Sequence, residues 1–306
     1  MAKTMNKIQK VSIVLKPKSQ KEFIPFLPRL VRWLHKRKIT IFFLEAEKAR
    51  IRSIFTQTPS YLLFGSEAQI FNDSDLIFTL GGDGTLLGLA RKYKTNYPPI
   101  MGVNIGHLGF ITEFSKIKLY QEIEKVLSGE IFTTTLDTYK VTITNNKKIK
   151  YSGIFLNDIV LHKQDISRIF SVSVSTNDQH IFDIYGDGVI ISSPLGSTAY
   201  SLAAGGPIIH PSVNSLIINP VCPHSLAHRP VVVSSTSFIT LKRNSGLEQN
   251  ITLTLDGQEV INIDADDIVN VKINKNKKVK IIKNKQREYF ETLKEKFKHG
   301  GIYHKK

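Results

Sequence analysis

With 306 residues, 41% of them hydrophobic, the chain can build one large or two ordinary domains, which excludes disorder along its whole length. The single cysteine, Cys222, excludes a disulfide framework, and no apolar run approaches the roughly 18 residues of a membrane-spanning helix, so we expect a soluble cytoplasmic protein with no membrane partner. The net charge of +16 is concentrated at the two ends, residues 1–38 and 272–306, and not on one element with interleaved aromatic residues, so we expect no nucleic-acid partner.

The first third of the sequence alternates between strand and helix patterns. Strands are predicted over residues 11–15, 39–44, 75–80 and 99–103, and helices from about residue 28, over 85–93 and over 117–127. Strands that alternate with helices form a parallel sheet whose ligand lies at the carboxyl ends of the strands. The sequence therefore predicts an α/β N-terminal domain with a Rossmann-like parallel sheet.

After about residue 132, short segments rich in Thr, Val and Ile are separated by Asn, Asp and Gly. These segments predict strands over residues 139–144, 155–162, 170–175, 238–241 and 251–255, and a helix follows over 288–298. We therefore predict two domains. Residues 1–135, completed by the helical segment 284–306, form the α/β domain, and residues 136–283 form a mainly β domain.

A glycine-rich loop, Gly81-Gly82-Asp83-Gly84-Thr85, joins a predicted buried strand to a predicted helix. Glycines can adopt positive φ and expose N–H groups, and a helix N-terminus attracts anions, so the loop is typical of a phosphate site. Because a carboxylate repels phosphate unless it takes a proton or holds a metal ion, Asp83 is the candidate catalytic residue. The alternative is an ordinary strand-to-helix turn capped by Asp83, although a cap needs only one small residue.

A second glycine-rich tract covers residues 185–207 and reads YGDGVIISSPLGSTAYSLAAGGP. Asp187 lies in a tight turn before a strand and could accept hydrogen bonds from a ribose or an amide, while Tyr200 offers an aromatic face with a polar tip. Residues 198–201 open a segment of small side chains that a planar ligand could approach closely. Close packing of a helix on a sheet would explain the tract equally well by itself.

Asn157 and Asp158 interrupt an apolar strand pattern, so their side chains must be satisfied by protein partners or by a ligand. A bulge or a strand end would explain the pair as well. His224 and His228 have the spacing of two metal ligands on a helix, but prolines flank both residues and make a loop the better prediction. We therefore predict no metal site formed by protein side chains.

Six motifs follow one another along most of the chain. They are GGDGT at 81–85, GVNIGHLGF at 102–110, ND at 157–158, GDGVIISSPLGSTAYSLAAGGPI at 186–208, PHS at 223–225 and DGQ at 256–258. In this order they resemble the motifs of bacterial NAD kinases. GGDGT is shared with diacylglycerol and sphingosine kinases, and phosphofructokinases have a similar loop, whereas the long glycine-rich tract is much more specific.

The resemblance implies transfer of a phosphoryl group from ATP, with Mg²⁺, to the 2′-hydroxyl of the adenosine ribose of NAD, giving NADP. Asp83 would take the proton from that hydroxyl. The implied nucleotide-binding residues are Gly81, Gly82, Gly84, Thr85, Phe110, Asn157, Asp158, Arg168, Tyr185, Asp187, Thr198, Ala199, Tyr200, Ser201, Ala203 and Gln258. The β domain would bind the dinucleotide, and a homodimer or homotetramer is implied.

The resemblance also implies individual roles for these residues. The glycines would contact phosphates, Phe110 would line the adenine pocket, and Asn157 and Asp158 would bind adenine and ribose. Asp187 would lie near the nicotinamide amide, and residues 198–203 would pack on the dinucleotide. Arg168 would be a basic substrate contact and Gln258 a late polar contact. At three positions the sequence departs from the family pattern. Asp158 stands where Glu is more usual, Tyr185 where Arg is frequent, and Leu195 where a small hydroxyl residue is common.

Other functions stay open at this point. A lipid kinase would use the same glycine loop but would need a deep apolar acceptor site. A non-enzymatic protein that binds a dinucleotide, or a nucleic acid as the net charge of +16 suggests, would not require a carboxylate in a phosphate loop. Inorganic polyphosphate could serve as donor beside ATP, and NADH as acceptor beside NAD.

Overall fold

The computed structural model describes residues 8–92, 97–106, 109–165, 170–225, 227–244 and 250–300. In chain order, its strands are β1 (Lys10–Leu15), β2 (Thr40–Leu44), β3 (Leu62–Gly65), β4 (Leu76–Gly81), β5 (Ile100–Asn104), β6 (Phe114–Ser115), β7 (Thr133–Asn145), β8 (Lys148–Phe155), β9 (Asp158–Lys163), β10 (Phe170–Thr176), β11 (Gln179–Gly186), β12 (Gly188–Ser192), β13 (Ser215–Val221), β14 (Val231–Ser234), β15 (Ile239–Arg243), β16 (Ile251–Leu255), β17 (Glu259–Ile263) and β18 (Ile268–Ile282). Its α-helices are α1 (Leu27–Lys36), α2 (Lys48–Arg52), α3 (Glu67–Asp73), α4 (Asp83–Lys92), α5 (Leu119–Leu127), α6 (Tyr200–Ala203) and α7 (Tyr289–Gly300). Among the described residues, no helix combines the length and the apolar character that crossing a membrane would require.

The chain divides into two compact units. Unit 1 comprises Met1–Leu136 and Val279–Lys306, and unit 2 comprises Asp137–Lys278. The first residues of β18 belong to unit 2 and its last residues belong to unit 1.

Unit 1 is built around a parallel sheet with the strand order β18–β5–β4–β1–β2–β3, in which β18 takes part through Ile281, opposite Ile100. Strand β4 is buried along its whole length, as expected for a parallel strand with both faces covered. Helix α1 buries an apolar stripe at helical spacing, formed by Leu27, Leu30, Val31 and Leu34.

The strand order of unit 1 reverses at β1. The chain adds β2 and β3 on one side of β1 and then returns to add β4 and β5 on the other side. Leu15, the last residue of β1, pairs with Leu80, and β4 ends one residue later at Gly81, so the two strands end side by side. In open α/β sheets, ligands bind outside the carboxyl ends of the strands at such a reversal. The loop that follows β4 therefore lies where this kind of sheet binds its ligand.

Unit 2 consists of two antiparallel sheets that share one core. The first sheet has the order β14–β13–β12–β9–β16–β17, and the second contains β11–β10–β15–β18 together with β7 and β8. Apolar side chains of both sheets, such as Phe155, Val172, Ile191 and Leu253, form one buried cluster. Stacked sheets with a common apolar interior are the expected arrangement for short alternating strands.

The α/β and mainly β characters predicted from the sequence are confirmed, and most predicted elements end within two residues of the observed bounds. The continuous strand predicted over 155–162 is wrong. Strand β8 ends at Phe155 and β9 begins at Asp158, because the backbone between them turns to donate its N–H groups to the Asp256 carboxylate. Strand β3 and helix α3 are missing from the predicted elements, although Ser66 and Gln69 form a capping box that sequence can indicate.

Candidate active site

The loop after β4 places Asp83 at the first residue of helix α4, and its carboxylate turns toward the segment 110–112. Oδ2 accepts a hydrogen bond from the Phe110 N–H at 2.8 Å. Oδ1 accepts three, from the Ile111 N–H at 3.3 Å, the Thr112 N–H at 2.9 Å and the Thr112 hydroxyl at 2.7 Å. The carboxylate is therefore fixed by four donors, and among the described residues only one of them reaches Oδ2.

The segment that holds Asp83 is itself fixed. The Thr112 side chain is fully buried, and its oxygen accepts a hydrogen bond from the Asn104 amide at 3.0 Å at the end of β5. A Cβ added at Gly109 would lie 1.9 Å from Asp83 Oδ1, so only glycine lets this segment approach the carboxylate so closely. The described donors to the Asp83 carboxylate all belong to segment 110–112 and none to helix α4, so an ordinary capped turn does not describe these contacts. The sequence does not indicate this partner segment.

The glycines of the loop do not use the positive φ that glycine allows, since none of Gly81, Gly82 and Gly84 has a positive φ. A Cβ on Gly81 would lie 2.2 Å from the hydroxyl oxygen of buried Thr85, so glycine is needed there for close packing of helix on strand. A Cβ on Gly82 would meet no atom of the described residues closer than 4.0 Å, so none of them requires glycine at this position.

Two further side chains lie beside the loop in unit 1. Phe110 is partly buried, and its ring centroid is 6.3 Å from that of Tyr289. Lys16 continues β1 next to Gly81, is half exposed, and pairs with Glu22 at 3.5 Å. Lys16 is missing from the predicted site. Its position directly after the first buried strand could have indicated it.

In unit 2 a cavity of about 540 Å³ gathers five of the predicted residues. They are Asn157, Asp158, Asp187, Ala199 and Tyr200. The cavity is also lined by residues that the sequence analysis missed, among them Lys163, Cys222 and Asp256. Asp158, Val160 and His162 line it along one face of β9, and it combines carboxylates with small and aromatic side chains.

Asp256 organises one wall of this cavity. Its backbone is left-handed, with φ +48°, in the turn between β16 and β17, and its carboxylate accepts the N–H groups of Leu156, Asn157 and Asp158. Asp158 is 5% exposed, and no hydrogen bond reaches its carboxylate among the described residues. Burial, with a smaller contribution from the charge of Asp256, raises the pKa of Asp158 to about 7.

Asp187 lies between β11 and β12, as the tight turn predicted. Its carboxylate accepts a hydrogen bond from the Lys163 ammonium at 2.8 Å, and this contact holds the pKa of Asp187 below its usual value. The Lys163 side chain is 16% exposed and also lines the cavity. An ion pair therefore occupies one side of the cavity, and the buried Asp158 occupies another.

Several predicted residues of unit 2 are not among those that line the cavity. They are Tyr185, Thr198, Ser201, Ala203 and Gln258. Ser201 is fully buried and accepts a hydrogen bond from the Asn219 amide, whereas Gln258 is exposed in the turn that Asp256 begins. Arg168 lies outside the described residues.

The loop that carries His224 and His228 has neither helix nor strand over its described residues, in agreement with the prediction. Within the described ranges, no group of three or more His, Cys, Asp or Glu side chains is arranged to hold a metal ion. Mg²⁺ keeps several waters and is commonly bound by one or two carboxylates together with substrate phosphates, so an ion that arrives with a nucleotide would not need such a group.

The sequence matches two family models, the ATP-NAD kinase N-terminal domain over residues 11–131 and the ATP-NAD kinase C-terminal domain over residues 156–284. The NAD kinase of Geobacter sp. (strain M21) is 34% identical over 271 residues, which cover 89% of this chain and 92% of that protein. Yeast NADH kinase in complex with NADH superposes with a TM-score of 0.87 at 24% identity and covers 98% of this chain and 91% of its own. An NAD kinase from Archaeoglobus fulgidus in complex with ATP superposes with a TM-score of 0.72 at 22% identity, and the match covers 96% of this chain and 100% of that one. Both structures therefore share the fold of this chain. The chain therefore belongs to the NAD kinase family.

Proposed function

We propose that this protein transfers the γ-phosphoryl group of ATP to the 2′-hydroxyl of the adenosine ribose of NAD, with Asp83 as the general base. The bond from the 2′-oxygen to the γ-phosphorus forms, and the bond from that phosphorus to the bridging oxygen breaks. The hydroxyl proton passes to Asp83, and NADP and ADP leave. The observation that carries this assignment is the carboxylate held by four donors directly after β4.

The geometry of Asp83 suits a positioned base. Oδ1 is occupied by three donors, while Oδ2 accepts one and has capacity for a hydroxyl. Phosphoryl transfer passes through a loose transition state, so orienting the attacking hydroxyl matters more than basicity. A side chain fixed before the substrate arrives lowers the entropy lost in the reaction.

The surroundings of the loop suit a triphosphate. Helix α4 has ten residues and directs the positive end of its dipole at the loop. The space above Gly82 would let a phosphate approach the backbone closely, and the half-exposed Lys16 would supply the cation that a P-loop takes from its own lysine. Bound with ATP, Mg²⁺ would neutralise phosphate charge.

The cavity of unit 2 would bind the dinucleotide. Its carboxylates and the Asn157 amide are acceptors for the amino group of adenine, the ribose hydroxyls and the nicotinamide amide. Tyr200, half exposed, offers a ring for stacking on a base. Polar acceptors of this kind suit a nucleotide better than the acyl chains of a lipid.

The test is to mix purified protein with Mg–ATP and NAD and to detect NADP with an NADP-specific dehydrogenase. A parallel reaction replaces NAD with diacylglycerol in mixed micelles, and others replace ATP with polyphosphate or NAD with NADH. We expect NADP from ATP and NAD and no phosphorylated lipid. Phosphatidate without NADP would support the lipid-kinase alternative, and binding of NAD without turnover would support a protein that only binds the dinucleotide.

The proposal extends to assembly and compartment. The family resemblance implies a homodimer or homotetramer, which light scattering on the purified protein would test. The single cysteine suits the reducing cytoplasm.

A further inference from the structure

A buried acid of unit 1 lies directly after the residues that hold Asp83. The Glu113 side chain is 4% exposed and follows Thr112, which donates two hydrogen bonds to the Asp83 carboxylate. A carboxylate buried this deeply is costly unless it is paired and hydrogen-bonded. Its partners therefore indicate what the protein gains from it.

All described partners of the Glu113 carboxylate belong to the segment between β18 and α7. The Lys283 ammonium forms an ion pair with Oε1, and the Asn284 N–H donates to Oε2 at 2.8 Å. Burial lowers the pKa of Lys283, so this lysine has itself lost solvent to make the contact. The chain that leaves β18 is thus tied to the segment 110–113.

Arg287 strengthens the same connection. Its side chain is only 10% exposed, its Nη1 donates to the Glu113 carbonyl at 3.4 Å, and its Nε donates to the Thr292 hydroxyl of α7 at 2.8 Å. Burial lowers the pKa of Arg287, and the negative charges of Glu295 and Asp83 oppose that lowering. The guanidinium therefore joins the backbone of the Asp83 segment to the first turn of α7.

We propose that Glu113, Lys283 and Arg287 are positioning residues for Asp83. They fix segment 110–113, whose three N–H groups and one hydroxyl determine where the carboxylate stands, so the C-terminal arm of unit 1 sets the geometry of the base. This inference rests on the proposed role of Asp83 and names the residues through which that role is maintained. A cluster that only anchored α7 would affect stability without a specific effect on turnover.

The first test is Glu113→Gln, which keeps the shape and the acceptor for the Asn284 N–H but removes the charge. We expect kcat to fall about tenfold, because a small displacement of a positioned group is costly, while KM for ATP and NAD changes less than twofold. The matched control is Glu122→Gln, which removes the charge of an 11% exposed acid paired with Lys125 on α5. The control should keep the wild-type kcat.

A double-mutant cycle separates positioning from simple destabilisation. If Glu113 acts through Asp83, Glu113→Gln should change the residual rate of Asp83→Asn less than twofold. The proposal is overturned if Glu113→Gln lowers kcat by the same factor in the wild-type and the Asp83→Asn proteins. It is also overturned if Glu113→Gln alone leaves kcat unchanged. Near-normal turnover of Asp83→Asn alone overturns the proposed base and this inference together, so the two failures can be told apart.

Arg287→Lys covers the case in which Glu113→Gln does not fold. It keeps the positive charge but cannot reach both the Glu113 carbonyl and the Thr292 hydroxyl. We expect the same fall in kcat with unchanged KM. A wild-type kcat in a folded Arg287→Lys variant would contradict the inference.

Discussion

At the end of β4 Asp83 meets four hydrogen-bond donors, whereas in the cavity of unit 2 the buried Asp158 meets the charge of Asp256 and no donor among the described residues. The first carboxylate is fixed before any ligand binds. The second would gain its donors from a ligand. In the proposed function one acid therefore serves geometry and the other recognition, although each is the first residue of its element, Asp83 of α4 and Asp158 of β9.

The largest effect is expected from breaking the fixed geometry with Gly109→Ala. The new Cβ would lie 1.9 Å from Asp83 Oδ1 and 2.4 Å from the Thr112 hydroxyl, so the carboxylate must leave its position. We expect kcat to fall by about 10²-fold, the cost of misplacing a catalytic group, with NAD binding to the cavity retained. Steady-state kinetics and calorimetry with NAD check both parts.

The control for that substitution is Gly106→Ala, where an added Cβ meets no atom closer than 4.0 Å in the part of the chain that the structure describes. It should keep wild-type turnover. Loss of NAD binding together with turnover in Gly109→Ala would contradict the separation of the two regions.

The second prediction concerns Asp158 and the effect of its protonation on NAD binding to the cavity of unit 2. With its pKa near 7, Asp158 is neutral at pH 6 and ionised at pH 8, and the ionised form is the better acceptor for ligand N–H and O–H groups. We expect NAD to bind about three- to tenfold more tightly at pH 8 than at pH 6. Asp158→Asn should flatten this dependence, while Asp178→Asn, in an exposed turn, should leave it unchanged.

The same carboxyl gives a stability test with a definite sign. The pKa of Asp158 is about 7 in the folded protein, above the ordinary 3.8. The protonated carboxyl therefore makes its full contribution to the free energy of unfolding below pH 3.8, and this contribution is lost as the pH rises through 7. Asp158→Asn should therefore be more stable than wild type at pH 8, by up to about 4 kcal/mol, and should show no such advantage near pH 4. Denaturant unfolding at the two pH values measures this difference.

A smaller effect is expected from removing one lysine in each region. Lys16→Met should raise KM for ATP about tenfold and leave KM for NAD unchanged, because a charge-assisted contact to phosphate is lost. Lys163→Met should raise KM for NAD only a few-fold, since Asp187 keeps its carboxylate but loses its partner. Steady-state kinetics with ATP and NAD varied in turn measure the two KM values separately. A raised KM for NAD in Lys16→Met, or for ATP in Lys163→Met, would contradict the assignment.

The sequence predicts what depends on local pattern. The buried run of β4 and the three glycines from Gly81 to Gly84 predict the loop of Asp83, and the alternation of strands and helices predicts the parallel sheet. It does not predict the donors to Asp83, because the N–H groups of residues 110–112 have no side-chain signature. The role of Asp256 is not predicted either, because its carboxylate binds backbone N–H groups about 100 residues earlier in the chain. The false strand over 155–162 arose because apolar residues continue on both sides of that turn.

The most direct test of the account is the turnover of Asp83→Asn at saturating Mg–ATP and NAD. Asparagine keeps the size of the side chain but cannot take a proton, so we predict a loss of roughly 10²-fold or more in kcat. The NAD dissociation constant and the circular dichroism spectrum should match those of wild type. A folded Asp83→Asn protein that makes NADP at nearly the wild-type rate would contradict the assignment of Asp83 as the base.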